Sequence, residues 1–274
     1  MKIAVVIPSR KNAQCLQAVL TALDHLASGQ HVLTCHLVVD RDDASTMALQ
    51  LDFTSELSIT RHDGDPTISH FKRINEVGRA LDVDAVTWFG DDAFPLAMHW
   101  DALIADGINS GAAAFAWQDL NDPENVTHPV LSRQWIDALG YVLPTYFPFW
   151  FVDTWLLEIH ELAFGSPLPI ALNLPVGGRR GQTKGMRDLE FWFRVFDATH
   201  VERQSDARRL ARCWNSMIDE DRFAGTIREH HDKFFRQLDN IPAYEQIFGA
   251  NNGKPSLRYC QLMTEAEQLL SPKE

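Results

Sequence analysis

Ala85-Val86-Thr87-Trp88-Phe89-Gly90-Asp91-Asp92 is a short, almost wholly apolar run that ends abruptly in a glycine and two adjacent carboxylates. A run of this length with no polar alternation reads as a strand covered on both faces, the environment of a parallel sheet flanked by helices. Ligands of such sheets bind beyond the carboxyl ends of the strands, where Gly90, Asp91 and Asp92 would lie.

The chain on either side repeats the pattern. Ile3 to Ile7 is a β-branched run closed by Pro8, and Leu16, Val19, Leu20, Leu23 and Leu26 follow at helical spacing. His36 to Val39 ends at Asp40 and opens into Asp40-Arg41-Asp42-Asp43. A third strand is expected from Ser55, then a helix carrying Ile68, Phe71, Ile74, Val77 and Leu81. A helix near Trp100 to Ile108 precedes a strand over Ala112 to Ala116. This alternation predicts an α/β, Rossmann-like fold with a mainly parallel central sheet flanked by helices. Pro8-Ser9-Arg10, Asp40 to Asp43 and Gly90 to Asp92 should converge at one edge of it.

Beyond residue 120 prolines thicken and periodicity weakens, so loops and short helices are expected. Gly177 to Gly185 is a glycine-rich basic loop, Asp188 to Ala198 reads as a helix with an aromatic face, and 207–274 as a helical C-terminal extension. The expected organisation is one compact unit: a Rossmann-like half over 1–120, a second half with the basic glycine-rich loop over 121–206, and the extension over 207–274.

Forty-five per cent hydrophobic and 23% charged residues over 274 positions describe an ordinary globular chain. The N-terminal apolar run is too short for an export signal, and Tyr141 to Leu157, the most apolar stretch, is broken by Pro144, Pro148 and Asp153. No membrane span and a cytoplasmic location are therefore expected. Four scattered cysteines suggest neither a disulfide framework nor a zinc knuckle. The net charge of -12 argues against general nucleic-acid coating. Gly177 to Arg212 is an exception: nine Lys and Arg less five Asp and Glu leave it at +4, a place to meet an anionic ligand.

Adjacent carboxylates at a strand end repel unless a divalent cation or a hydroxyl network sits between them. Mg²⁺ or Mn²⁺ would bind one carboxylate together with a diphosphate; the alternative is a turn that caps the next helix. Asp153, among Phe149, Trp150, Phe151, Val152 and Trp155, suits a base that takes a proton from a hydroxyl, or a helix cap. Arg179, Arg180 and Lys184 have the composition of a lid over a diphosphate, or of a solvated surface loop. His160, His230 and His231 are candidate further metal ligands, each set against an ordinary core or surface role.

The order of Ile3-Ala4-Val5-Val6-Ile7-Pro8-Ser9-Arg10, the strand ending at Asp40, the helix with Arg73, Asn75 and Gly78, and Gly90-Asp91-Asp92 resembles GT-A glycosyltransferases of the family 2 type, over roughly residues 3 to 160. The resemblance implies that Pro8, Ser9 and Arg10 line a nucleotide pocket, that Asp40 meets the base, and that Arg73 and Asn75 border the donor. It implies that Asp91 and Asp92 stand at the D-x-D element, with Asp92 as metal ligand and a C-terminal histidine, His160 among the candidates, beside it. An acidic residue at about the place of Asp153 would act as base. The chain departs from the family in having Gly90 where the first Asp of D-x-D stands.

The resulting expectation is metal-assisted transfer of a sugar from a nucleotide diphosphate donor, UDP-sugars favoured, to a hydroxyl acceptor. That acceptor is a saccharide, a small molecule or a hydroxymethylated base in DNA of the kind phage-type enzymes decorate. A nucleotidyltransferase of similar fold and a non-catalytic nucleotide-binding protein are the alternatives.

Overall fold

The computed structural model describes residues 1–50, 57–123, 126–148, 151–178, 188–241 and 255–271. The chain packs as two compact units, Met1–Leu143 with Leu168–Gly181, and Pro144–Pro167 with Gln182–Glu274.

The first unit is built on an eight-stranded sheet. Its strands are β1 (Lys2–Ser9), β2 (Val32–Asp40), β3 (Leu57–Gly64), β4 (Ala85–Trp88), β5 (Ala93–Pro95), β6 (Ala114–Asp119), β7 (Pro129–Ser132) and β8 (Ile170–Gly178), in the order β3-β2-β1-β4-β7-β6-β8-β5. β1 pairs in parallel with β2 and β4, β2 with β3, and β6 with β8; β7 runs antiparallel to β4 and β6, and β5 to β8. Ile3 to Ile7 are fully buried, as a central strand covered on both faces requires. Connections run from β1 outward to β2 and β3, then back across β1 to β4, which places a topological switch point between β1 and β4.

Helices α1 (Ala13–His25), α2 (Ala44–Met47), α3 (His70–Ala80), α4 (Trp100–Asn109) and α5 (Arg133–Leu139) belong to this unit. α1 buries Leu16, Val19, Leu20 and Leu23, one apolar stripe, into a core shared with Trp100, Ile104, Phe89 and Trp117. α3 carries Gly78 where a Cβ would come 2.5 Å from Val142 Cγ2, so the glycine admits the chain at Val142. β7 and β8 were not expected among the prolines beyond residue 120. Pro129 opens β7, a position that needs no ladder N–H, and Pro175 of β8 lies at the register shift opposite Trp117 and Gln118.

The second unit contains α6 (Val152–Phe164), α7 (Leu189–Ala198), α8 (His200–Cys213), α9 (Glu220–Leu238) and α10 (Leu257–Leu270), in keeping with the helical reading of the C-terminal region. Arg203 of α8, 4% exposed, bonds Glu158 of α6 at 2.9 Å and stacks on Phe196, 3.7 Å from the ring centroid. His230 of α9 closes the cluster, with Nε2 3.1 Å from Glu161 and Nδ1 3.9 Å from Glu158. Burial opposes charge on His230, yet its contacts with Glu158 and then Glu161 outweigh that and raise its pKa above 6.5. Burial likewise opposes charge on Glu158, but His230 and Arg203 hold its carboxyl below the usual range. The His230 contribution to stability is thus complete below its unfolded pKa and lost as pH rises through the raised folded value. The Glu158 contribution is lost on acidification through its lowered one. As pH rises above about 6.5 the melting temperature should therefore fall more steeply in the native chain than in His230→Gln; identical slopes would contradict this latch.

Candidate active site

The β1–α1 and β2–α2 loops meet at the carboxyl edge of the sheet. Lys11, at φ 56°, turns the first loop so that its backbone N–H reaches Asp43 Oδ2 at 2.6 Å. Asp43 also accepts from Ser45 Oγ and Thr46 Oγ1, both at 2.6 Å. Burial alone would raise its pKa, but the Lys11 amide and the Ser45 and Thr46 bonds hold the carboxyl well below the usual carboxylate range. Arg10 grips Asp42 through two bonds of 2.9 Å and also binds Asp40.

Asp40 is 3% exposed and lies between two guanidiniums, Arg10 on Oδ2 and Arg73 on Oδ1 at 2.7 Å. Arg73 is itself buried and donates to the carbonyls of Val39 and His62. A Cβ at Gly64 would lie 2.5 Å from Arg73 Nε, so the glycine at the end of β3 makes room for it. Asn75 accepts from the amides of Val142 at 2.7 Å and Leu143 at 2.9 Å and donates to the Leu143 carbonyl at 2.7 Å. The resemblance put Arg73 and Asn75 at the donor; their polar atoms lie on Asp40 and on backbone, where they fix the loops around the site.

Across the switch point, Asp91 accepts from Ser9 Oγ at 2.6 Å and from Asn12 Nδ2 at 3.0 Å, joining the end of β1 to the turn after β4. Burial pushes the Asp91 carboxyl up, and these bonds offset only part of that. Asp92 is raised by burial, then by the charges of Asp91 and Asp119. Among the described residues no Lys or Arg pairs with Asp92. Its Oδ1 fills the space beside Gly90, 3.0 Å from where a Cβ there would stand, so the glycine in place of the first acidic residue leaves room for the Asp92 carboxylate. Gly178, the last residue of β8, packs against the Asp92 carbonyl, whose oxygen would lie 3.1 Å from a Cβ at that position.

Asp119 was not singled out in the sequence. It closes β6, which runs parallel to β4 because β7 is antiparallel to both, so its carboxylate arrives at the same edge. It accepts from the Asn121 amide at 2.8 Å and Thr127 Oγ1 at 3.1 Å. His128 lies against the same turn, its ring centroid 5.0 Å from Phe89; burial lowers its pKa to about 4, against the pull of Asp119 and of the Trp88 carbonyl.

Among the described residues no group of three or more His, Cys, Asp or Glu could hold a metal ion unaided. His160 is therefore not gathered into a ligand set; it is 6% exposed on α6, with Nδ1 2.9 Å from the Ser166 carbonyl. The Asp92 carboxylate, beside the charges of Asp91 and Asp119 and with no Lys or Arg partner among the described residues, offers oxygen ligands of the kind a hard cation takes.

In the second unit Asp153 sits in the first turn of α6 with Oδ1 2.9 Å from the Thr154 amide. Asp188, which no sequence pattern marks as functional, starts α7 at φ 53° and accepts from Tyr259 Oη at 2.9 Å. Arg179, Arg180 and Lys184, like Phe149 and Trp150, lie outside the described residues.

No family model and no curated protein sequence matches the chain. Among solved structures it is similar to the mannosyltransferase PcManGT from Pyrobaculum calidifontis in complex with GDP-Man and Mn²⁺, at a TM-score of 0.52 and 12% identity, over 98% of this chain and 84% of that one. It is also similar to residues 1–349 of S. aureus TarS in complex with UDP-GlcNAc, at 0.53 and 11%, over 79% and 72%. The fold is thus that of the GT-A glycosyltransferases, as the sequence resemblance implied. Among the described residues no helix is long and apolar enough to cross a membrane.

Asn75→Ala should lower the unfolding free energy by about 2–4 kcal/mol, because it strands two buried N–H groups as well as a carbonyl. Urea unfolding reads this directly, and a loss under about 1 kcal/mol would show that the clasp on Val142 and Leu143 is dispensable.

Proposed function

We propose that the chain is a glycosyltransferase that transfers a sugar from a nucleoside diphosphate sugar to a hydroxyl acceptor. The observation that carries this reading is the switch-point constellation. Ser9 and Asn12 fix Asp91, while Asp92 stands beside it with no basic partner among the described residues. PcManGT with GDP-Man and TarS with UDP-GlcNAc share the fold that builds such an edge, and UDP- and GDP-sugars are the donors to examine first.

In this reading the nucleotide lies along the ends of β1 and β2, where Pro8, Ser9 and Arg10 form one wall. Asp40, held by Arg10 and Arg73, orients Arg10 and stands beneath the base. Asp91 and Asp92 take the end of the donor that carries the diphosphate and sugar. A divalent cation, Mn²⁺ or Mg²⁺, held by Asp92 with the diphosphate would supply neutralisation of the leaving group. Arg179, Arg180 and Lys184, in the net-positive glycine-rich segment of the sequence, are assigned to the diphosphate. Asp153 is the proposed base that accepts the acceptor hydroxyl proton. The four cysteines, all unpaired, are in keeping with a reducing cytoplasm.

A nucleotide sugar at about 100 times its dissociation constant adds roughly 2.7 kcal/mol of stability. A thermal-shift series with UDP- and GDP-sugars should show a metal-dependent rise that chelator and Asp92→Ala both abolish. No shift with any nucleotide would defeat the proposal at its first step, and a shift without turnover on any acceptor would favour a binding protein. Once an acceptor is found, Asp153→Asn should lower kcat by about 10²–10⁴-fold at an unchanged donor Kd; a change below about tenfold would return Asp153 to the helix start.

A further inference from the structure

Of the five N–H donors on the planar guanidinium of Arg10, the contacts with Asp40 and Asp42 use three. Nη1 and Nη2 meet Asp42 Oδ1 and Oδ2 end-on, each at 2.9 Å, and Nη1 also binds Asp40 Oδ2. The remaining pair, one on Nε and one on Nη2, lies on one side of the plane and has no hydrogen-bond partner among the described residues. Asp40 has no such reserve. Its side chain is 4% exposed against 39% for Arg10, and each of its oxygens already meets a guanidinium.

An exposed arginine ordinarily gives up side-chain freedom when it binds, which offsets part of the contact. Arg10 is already held, end-on by Asp42 and from the side by Asp40, which Arg73 locks in turn. Its charge is met by the same two carboxylates, which would repel a diphosphate brought to this place. What Arg10 still offers is a fixed pair of directed N–H groups, suited to a neutral group with two neighbouring acceptors. A nucleobase edge can be such a group. Guanine sets O6 beside N7, the pair that arginine reads most often in nucleic acids, and cytosine sets O2 beside N3. Uracil places N3–H between its carbonyls and adenine an amino group beside N7, so each turns a donor toward the fork.

We propose that the Nε and Nη2 fork of Arg10 selects the nucleobase, and that the donor carries a base with two adjacent acceptors: guanine through O6 and N7, or cytosine through O2 and N3. This rests on the donor site proposed above, which sets the base over the ends of β1 and β2. Asp40 and Asp42 then act as positioning residues, and the choice of base falls to Arg10.

The test is calorimetric titration of the full chain with GDP, CDP, UDP and ADP in the presence of Mn²⁺. GDP or CDP should bind about tenfold or more tighter than UDP and ADP, the worth of one bidentate contact, and the tighter of the two identifies the base. Where that is GDP, 7-deaza-GDP, with carbon in place of N7, should bind the native chain about three- to tenfold more weakly than GDP, the loss of one hydrogen bond. Arg10→Lys, which keeps the charge and removes the fork, should bring the favoured diphosphate down to the level of UDP. UDP or ADP binding as tightly as both GDP and CDP, 7-deaza-GDP matching a favoured GDP, or a preference that survives in Arg10→Lys overturns the assignment to Arg10. In each of those cases a nucleotide still binds and the donor site stands; if no nucleotide binds, the donor site fails and the base selection with it.

Discussion

The hydrogen bonds from Ser9 and Asn12 to Asp91 tie together the two strands between which the chain reverses its direction of sheet growth. Every other feature of the edge is arranged around that tie. With Asp91 held by Ser9 and Asn12, Asp92 is left as the carboxylate that feels the charges of Asp91 and Asp119 and lacks a basic partner among the described residues. Arg10, one residue beyond Ser9, binds the second strand end through Asp40 and Asp42, and Lys11 binds it again through Asp43. One loop, Ser9 to Asn12, thus sets the relative positions of three strand ends.

The constraint explains why the edge is rich in buried charge. Asp40 between Arg10 and Arg73 would be expensive if either partner were missing, since a buried carboxylate without its cation costs several kcal/mol. Gly64 and Gly90 are the small-residue consequences of the same packing: the first makes room for the Arg73 guanidinium and the second for the Asp92 carboxylate. Asn75 performs the corresponding task for the chain at Val142 and Leu143. These residues shape the site through what they hold.

Much of this was legible from the sequence. Ile3 to Ile7 and Ala85 to Phe89 announce buried parallel strands by being apolar without alternation, and topology then obliges their polar ends to meet. The role of Arg73 and Asn75 was not legible, because an amphipathic pattern tells which helix face is inward but not which backbone carbonyl or amide waits there. β7 and β8 were hidden by Pro129 and Pro175, which in fact occupy positions where no ladder N–H is needed. Asp119 and His128 depend on those strands, so they could not be found before β7 was known to carry β6 back parallel to β4. His160, the histidine that the resemblance favoured, has its Nδ1 on the Ser166 carbonyl within its own unit.

In the proposed function the edge built on Ser9, Asp91 and Asp92 receives a nucleotide sugar together with a divalent cation. A crystal structure of the chain grown with Mn²⁺ and the nucleotide sugar that stabilises it would test this most directly, because anomalous scattering locates manganese independently of the protein. The manganese peak is expected at coordinating distance from the Asp92 carboxylate, with the diphosphate on its far side and the base over the ends of β1 and β2. Manganese and nucleotide bound elsewhere on the chain, with Asp92 left in contact with protein alone, would contradict it.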